Sequence, residues 1–174
     1  MNKFFMLSIM SAAVIGSGGS SDSAGVISLA SDSFKNGEYL AKEYTCEGSD
    51  LSPELHWSYS GKAASFAVTC EDPDAPGGDF VHWVMYNIPG TAGSLQKGFP
   101  KKQEYNGILQ GINDFPETGY NGPFPPKGKP HRYIFTVYAL DIKITDKNLK
   151  LADLKKAIKG HVLASAGITG MYKR

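Results

Sequence analysis

Most of the chain is predicted to be β-strand, because short apolar runs alternate with turn-forming residues. Residues 65–70 (SFAVTC) alternate along the run, which is typical of a strand. Residues 82–88 (HWVMYNI) are rich in β-branched and aromatic residues and are closed by a Pro-Gly pair, which indicates a second strand. Residues 132–140 (RYIFTVYAL) carry large apolar groups on both faces, as expected in a covered sheet. The pattern therefore predicts a mostly β fold.

The C-terminal region changes to a helical period. Over residues 151–167, four apolar residues fall on one stripe of a helix, with the lysines away from it: Leu151, Leu154, Ile158 and Val162. This spacing predicts an amphipathic helix that packs against a sheet, with Asn148 as its candidate N-cap. Gly160 weakens this helix by about 1 kcal/mol relative to alanine. Residues 91–130, by contrast, hold seven glycines and six prolines and are predicted to be irregular.

The first residues have the layout of an export signal. A short start with one lysine is followed by an apolar run at residues 4–15, too short for a confident membrane span, and then by small residues. We therefore predict a signal peptide and flexible leader at residues 1–25 and a folded domain at residues 26–174. The protein would be periplasmic or secreted, without stable membrane insertion after cleavage. A flexible or anchored N-terminal arm is the alternative.

Composition narrows the class of function. The 174 residues are 41% hydrophobic and 20% charged, which suits one globular domain with its own core. A net charge of +1 argues against a large electrostatic surface, so no nucleic-acid partner is expected. The two cysteines, Cys46 and Cys70, permit one disulfide in an exported protein. A buried free thiol at Cys70 is equally compatible with the sequence.

Two histidines open predicted strands directly after stretches that are rich in proline. His82 follows the turn DPDAPG at a short distance, and His131 follows the loop GPFPPKGKP. His131 and Tyr133 are two residues apart, so both project from the same face of a strand. If the first two predicted strands are neighbours, Asp72 joins these three side chains at one rim of the sheet.

Such a cluster has the chemistry of an anion site. Imidazole and phenol groups donate hydrogen bonds, which the head group of a phosphate monoester or diester accepts. Asp72 and Asp74 would orient the imidazoles. Three other interpretations are open: structural histidines, a zinc or non-haem iron site of two histidines and a carboxylate, and a hydrolase in which a histidine activates a serine. The sequence contains neither a close metal-ligand spacing nor a G-x-S-x-G motif to support the last two.

Three motifs, in this order, resemble the phosphatidylethanolamine-binding protein family: DPDAP, HWVMYNIPG and GPFPPKGKPHRYIFTVYALD. TCEG, LSPELHW and the ending GHVLASAGITGMYKR look like its bacterial YbhB/YbcL-like, or Raf-kinase-inhibitor-like, branch. The resemblance runs from about residue 31 to residue 174. It implies a Greek-key-like fold of two antiparallel sheets, one large and one small, with a C-terminal helix. It also implies a small anion pocket at one rim, and neither a metal nor an organic cofactor.

The family's pocket residues are carried over by motif position. The resemblance implies ligand-binding roles for Asp72, Asp74, His82, His131 and Tyr133, and lining or shaping roles for Pro76, Trp83, Gly122 and Pro126. It also implies a cis peptide bond between Ala75 and Pro76, a type of bond that tight turns sometimes contain.

We therefore predict a non-enzymatic binding protein whose ligand is a small anion, such as phosphate or a phospholipid head group. Proteins of this family include head-group binders, kinase and protease inhibitors and developmental signals, so the fold alone does not decide the role. The first alternative is a protease or kinase inhibitor that acts on a protein target through an interface. A hydrolase or metal-dependent enzyme that uses the histidines and aspartates is less favoured. A homodimer is compatible with the sequence, although no specific feature supports one.

Overall fold

The computed structural model describes residues 25–174, so the predicted signal peptide lies outside the described residues apart from Gly25. This part of the chain contains nine strands and one α-helix. The strands are β1 Ile27–Ala30, β2 Leu55–Tyr59, β3 Ser65–Asp72, β4 Phe80–Pro89, β5 Ser94–Leu95, β6 Glu104–Tyr105, β7 Ile108–Gln110, β8 His131–Leu140 and β9 Val162–Tyr172. The helix, α1, spans Leu151–Ala157, and a 3₁₀ turn spans Lys42–Tyr44.

The strands form two antiparallel sheets, one small and one large, which confirms the predicted fold class. The small sheet has the order β1-β2-β5, and the large sheet has the order β6-β7-β4-β3-β8-β9. The three strands predicted from the sequence are β3, β4 and β8, which lie next to one another. Residues 91–130 are largely irregular, as predicted, but they include the short strands β5, β6 and β7.

Both faces of the large sheet are covered by other parts of the protein. The main core lies between the two sheets, where Leu55 and Trp57 of β2 join Phe66 of β3 and Phe135 of β8. A second core lies on the opposite face, under α1 and the loops beside it, and includes Leu154 at 0% exposure. Two covered faces explain why nearly every residue of β3 is buried, and not only alternate ones.

The predicted C-terminal helix is present but shorter than predicted. The prediction was wrong for its second half, which is not helical. The helix ends at Ala157, and Gly160 then adopts a φ of +84°, a left-handed conformation that glycine accepts readily. Val162 begins β9, which pairs with β8 along its whole length and forms an edge of the large sheet. Pairing with β8 therefore overrides the helical period of these residues. The N-cap is Lys150, and not Asn148.

The two cysteines are free thiols, so the disulfide that the sequence permitted is not formed. Cys70 is fully buried in β3, where it is packed within the core between the sheets. Cys46 lies in a loop and donates a hydrogen bond to the carbonyl oxygen of Gly122 at 3.0 Å. Each sulfur is thus held in a separate environment. Within residues 25–174, no helix has the length and apolarity needed to cross a membrane.

Candidate functional site

A cavity of about 180 Å³ opens where β3 ends and where β4 and β8 begin. Four polar residues line it, namely Asp72, His82, His131 and Tyr133. The rest of the wall is apolar and comes from two loops and the start of β4: Ala75, Pro76, Phe80, Phe115, Phe124, Pro125 and Pro126. The site therefore combines a few convergent polar groups with a hydrophobic mouth, which is the usual make-up of a small-ligand pocket.

Antiparallel pairing between β3 and β8 brings Asp72 and His131 together. Asp72 is the last residue of β3 and His131 is the first residue of β8. The Nδ1 of His131 lies 2.8 Å from Oδ2 of Asp72, and both side chains are buried. A carboxylate only accepts, so Nδ1 carries the proton and the other ring nitrogen, Nε2, is left for a ligand.

A β-bulge in β4 turns His82 toward the same cavity. The register of β4 against β3 shifts by one residue between Val81 and Trp83, so His82 is an extra residue without its own partner. Val81 faces the helix side of the large sheet, whereas Trp83 and Tyr133 face the core between the sheets. The bulge places His82 on the side of Tyr133, and the two ring centroids are 5.1 Å apart. Bulges commonly re-aim a side chain in this way next to functional sites.

His82 is held in one orientation by its surroundings. Its Nδ1 lies 2.6 Å from the carbonyl oxygen of Asn121, so this nitrogen carries a proton and donates it. The rings of Phe80 and Phe115 pack against the imidazole, with centroids at 5.2 and 5.4 Å. Burial in these surroundings lowers the pKa of His82, although the backbone hydrogen bond and nearby aspartates act in the opposite direction. The neutral ring is therefore the favoured form, with a lone pair on Nε2.

Tyr133 contributes a hydroxyl group that the described protein leaves without a hydrogen bond. The side chain is fully buried on β8, lines the cavity, and its Oη has no partner among residues 25–174. Burial, then the negative charge of Asp72 and a contact with its carboxylate whose geometry is too poor for a normal hydrogen bond, raise the pKa of Tyr133 well above its usual range, so the hydroxyl keeps its proton. A buried donor without a partner is costly, which makes this group a strong candidate for binding a ligand.

Asp74 ties the turn after β3 to the start of β8, outside the cavity. Its carboxylate accepts from the backbone N–H, the Nε and one terminal nitrogen of Arg132, at 2.9, 2.8 and 2.7 Å. The hydrogen bond from the Arg132 side chain is the main reason why the pKa of Asp74 is lowered to about 2. The backbone N–H of Asp74 donates in turn to Oδ1 of Asp72 at 2.9 Å. Asp74 therefore positions Asp72 and is not part of the cavity wall.

The structure brings together six of the nine site residues that the sequence analysis named. These six line the cavity: Asp72, Pro76, His82, Pro126, His131 and Tyr133. Asp74, Trp83 and Gly122 are not part of the lining. Trp83 is buried in the core, where its Nε1 donates to Oε1 of Gln110 at 2.8 Å. Gly122 supports the loop, because its N–H donates to Oδ1 of Asp50 at 2.7 Å.

The expected cis bond before Pro76 is not formed, and the Ala75–Pro76 peptide is trans. The turn is closed by ordinary hydrogen bonds. The N–H of Gly78 donates to the carbonyl oxygen of Ala75 at 3.0 Å, and the N–H of Asp74 donates to the Asp72 side chain. Gly78 adopts a φ of +101°, which completes the turn before β4.

Sequence reasoning missed several residues of the cavity. Phe124 and Pro125 belong to the loop before His131 that the sequence analysis had singled out, so their position could have suggested them. Phe80 is two residues before His82 on the same strand. Phe115 and the carbonyl oxygen of Asn121 come from the long irregular segment and had no recognisable signal, because their contact with His82 depends on the path of a loop.

Potential metal ligands in the described part of the chain lie elsewhere. The one group of three whose ligand atoms all lie within 4.8 Å of one another is Asp32, Glu54 and His56, and none of them lines the cavity. Asp72, His82 and His131 do not form such a group within residues 25–174.

The comparisons with known proteins agree with this architecture. The model of the family described as phosphatidylethanolamine-binding protein matches residues 30–173. A protein of Aquifex aeolicus described as UPF0098 protein is 44% identical over 153 residues, which cover 86% of this chain and 90% of that one. UPF0098 protein YbhB of Escherichia coli is 40% identical over 155 residues, which cover 83% of this chain and 98% of the relative.

Solved structures show the same fold. The crystal structure of Escherichia coli YbcL, described as a member of the mammalian PEBP family, has a TM-score of 0.78 and 38% identity, covering 85% of this chain and 98% of that one. A carboxypeptidase Y inhibitor, solved in complex with its cognate proteinase, has a TM-score of 0.50 and 18% identity, covering 87% and 84%. The latter likeness concerns the fold alone.

The chain is thus a two-sheet β protein with a small rim pocket, built from elements that are shared with a known class of proteins. It belongs to the phosphatidylethanolamine-binding protein family.

Proposed function

We propose that this protein binds a small oxyanion, such as a phosphate group or a phosphorylated head group, in the cavity between β3, β4 and β8, without converting it chemically. The observation that carries the proposal is the buried Tyr133 hydroxyl, which makes no hydrogen bond of normal geometry in the described structure and whose side chain lines the same cavity as His82 and His131. An oxyanion at this place would accept the Tyr133 hydrogen bond and remove the cost of leaving it unmade.

The hydrogen bond between His131 and Asp72 also supports a polar ligand, because it leaves the Nε2 of His131 free to interact with one. Since the cavity is small, only a few atoms contribute to binding, so affinity for a bare head group is expected to be weak.

Binding is favoured over hydrolysis by the residues of the wall. No serine, threonine or cysteine is among the described residues that line the cavity, so an acyl-transfer nucleophile paired with His82 or His131 is lacking there. The apolar mouth, formed by Phe80, Phe115 and Phe124, would accommodate the part of a ligand that carries the anionic group.

A second candidate function is the modulation of another protein. Phe124 lies at the cavity mouth and is 50% exposed, which is unusual for a large apolar side chain. A protein segment that covers this ring would also close the cavity. The fold shared with a carboxypeptidase Y inhibitor is compatible with such a role. Because the predicted leader resembles an export signal, we propose that either function is exercised in the periplasm or outside the cell.

The test is a titration with inorganic phosphate and with phosphoethanolamine, followed by calorimetry and by NMR of the four histidine rings. His82 and His131 line the cavity, whereas His56 and His161 do not and serve as internal controls. We expect the signals of His82 and His131 to shift with a saturable profile while those of His56 and His161 stay in place. If none of the four signals moves and no heat is detected, the proposal is wrong.

A further inference from the structure

Three side chains on the outer face of the small sheet bring potential metal ligands together, away from the cavity. They are Asp32, Glu54 and His56, and the ligand atoms of all three lie within 4.8 Å of one another. Glu54 directly precedes β2 and His56 is its second residue, so the two side chains project from the same side of the strand. Leu55 and Trp57, which alternate with them, are buried in the core between the sheets.

The pairing of β1 with β2 adds the third side chain. The last residue of β1 is the partner of His56, and continuing this register by two residues places Asp32 opposite Glu54. Beyond the end of β1, serine hydroxyls take the place of the backbone ladder. The hydroxyl of Ser31 donates to the carbonyl oxygen of Glu54 at 2.5 Å, and the N–H of Glu54 donates to Oγ of Ser33 at 3.2 Å. These bonds fix the backbone on both sides of Asp32.

The two carboxylates of this cluster have no basic partner. Asp32 and Glu54 carry like charges on facing segments, and like charges directly opposite each other are destabilising. In the described structure, neither carboxylate lies within ion-pair distance of a lysine or arginine. Six other carboxylates of the protein do have such a partner: Glu43, Glu47, Asp50, Glu71, Asp74 and Glu104. A cation between Asp32 and Glu54 would remove the repulsion.

The third group is an imidazole, which distinguishes this cluster from an ordinary acidic patch. His56 makes no hydrogen bond of normal geometry within the described residues, and its Nδ1 lies 3.5 Å from Oε1 of Glu54. The other three histidines each have a partner for Nδ1, at 2.6 to 2.8 Å: His82, His131 and His161. Both ring nitrogens of His56 are therefore available, and imidazole is the side chain that most commonly binds metal ions.

We propose that Asp32, Glu54 and His56 bind a divalent transition-metal ion such as zinc, and that the ion fastens the edge strand β1 to β2. An imidazole beside carboxylates favours zinc over magnesium and calcium, which prefer ligand sets made of oxygen. Three protein ligands leave a coordination position for water, as in open zinc sites. The family resemblance did not imply this metal, and the proposal is independent of the phosphate cavity.

The experiment is a titration of the chelator-treated protein with zinc chloride, followed by calorimetry and by NMR of the histidine rings, with magnesium and calcium as comparison ions. We expect zinc to bind saturably, to shift the ring signals of His56 first and to raise the melting temperature, because an ion that binds only the folded state stabilises it. Magnesium and calcium should have little effect. His161 is the internal control, since it pairs with the single carboxylate of Asp141 at similar exposure. Equal shifts at His56 and His161 would show non-specific binding and contradict the proposal.

The variants His56→Gln and Asp32→Asn each remove one ligand at a position that is not buried. We expect zinc affinity to fall at least about tenfold in each, since loss of even an outer partner of a bound metal typically costs that much. The zinc-dependent rise in melting temperature should disappear as well. The matched controls His161→Gln and Asp141→Asn should bind zinc as the natural protein does.

Melting temperatures in the presence of a chelator show that each variant is folded before zinc is added. Unchanged zinc affinity in both ligand variants, or the absence of zinc binding by the natural protein, would overturn the proposal. Neither result bears on phosphate binding, which its own titration decides.

Discussion

His131 donates its Nδ1 proton to the carboxylate of Asp72 over 2.8 Å, although the two residues are 59 positions apart in the chain. Both are buried, and no lysine or arginine lies within ion-pair distance of Asp72 in the described structure. The pair sets the orientation of the ring and which of its nitrogens faces the cavity. A second pair in the protein has the same geometry: His161 donates to Asp141, also at 2.8 Å, on the exposed surface.

This similarity allows a matched test of the buried pair. The variant Asp72→Asn keeps the shape and one acceptor but removes the charge from the group that accepts the Nδ1 proton of His131. We expect phosphate affinity at pH 6 to fall about tenfold, the loss typical of a hydrogen bond that involves a charged group. The variant Asp141→Asn makes the same change at His161 and should leave phosphate affinity unchanged. Calorimetry on the two variants measures both effects, and equal affinities would contradict the assigned role of Asp72.

The ion pair between Asp74 and Arg132 predicts that the stability of the protein depends on pH in the acidic range. The pKa of Asp74 is lowered from 3.8 to about 2 in the folded protein. For a lowered carboxyl pKa, the stabilisation is fully present above the unfolded value and is lost as the pH falls through the folded value. Because the pair is largely exposed, water screens it and we expect its contribution to the free energy of unfolding to be small.

The measurement is urea unfolding of the natural protein and of the variant Asp74→Asn at several values of pH. The difference between the two free energies of unfolding should be largest above pH 4 and should shrink between pH 4 and pH 2. The variant Asp153→Asn, whose carboxylate accepts from Lys150 N–H at 3.3 Å on α1, is a control far from the turn in sequence. A difference that persists unchanged at pH 2 would show that the ion pair is not its source.

Gly122 is predicted to be required because the surrounding backbone leaves no room for a side chain. A Cβ atom at this position would lie 2.3 Å from the carbonyl oxygen of Tyr44 and 2.7 Å from the Cα of Thr45, both backbone atoms that cannot rotate away. We expect Gly122→Ala to destabilise the protein by about 2 kcal/mol through overpacking. Gly77→Ala is the matched control, because a Cβ at Gly77 meets no atom within 4 Å. Thermal unfolding of the two variants measures the difference in stability. Similar melting temperatures would contradict the prediction.

The parts of the fold that follow from local pattern could be predicted from the sequence. Residues 65–70 of β3 alternate, β4 and β8 are rich in β-branched and aromatic residues, and the prolines and glycines before β4 and β8 predict loops correctly. The second half of the predicted helix failed for a non-local reason. Val162 lies on the helical stripe of Leu154 and Ile158, yet residues 162–172 pair with β8 along its whole length, and those hydrogen bonds outweigh the local period.

In the candidate site, too, features that follow from local pattern could be predicted and features that depend on non-local contacts could not. The pairing of Asp72 with His131 could be inferred because each stands at the end of a predicted strand. The bulge at His82 could not, since it appears only in the register between β3 and β4. Nor could the hydrogen bond to Asn121, on which the protonation of His82 depends, because it joins a strand to a loop 39 residues later. Motif position therefore identified the side chains, but not which nitrogen of each ring faces the ligand.

The substitution Tyr133→Phe should have opposite effects on the stability of the protein and on phosphate binding. Its hydroxyl is buried without a hydrogen bond of normal geometry in residues 25–174, so Tyr133→Phe removes a poorly satisfied donor and leaves the ring in place. We expect the free energy of unfolding to rise by about 1 kcal/mol and phosphate affinity to fall about tenfold. The control is Tyr120→Phe, whose hydroxyl donates to the carbonyl oxygen of Tyr44 at 2.8 Å and whose loss should destabilise the protein by about 1 kcal/mol.

Urea unfolding and phosphate calorimetry on both variants give the two quantities independently. A site that is kept for its ligand should trade stability for binding in this way, whereas a purely structural tyrosine should not. If Tyr133→Phe lowers stability as Tyr120→Phe does and leaves phosphate affinity intact, the hydroxyl of Tyr133 has a structural partner and is not the group that receives the anion.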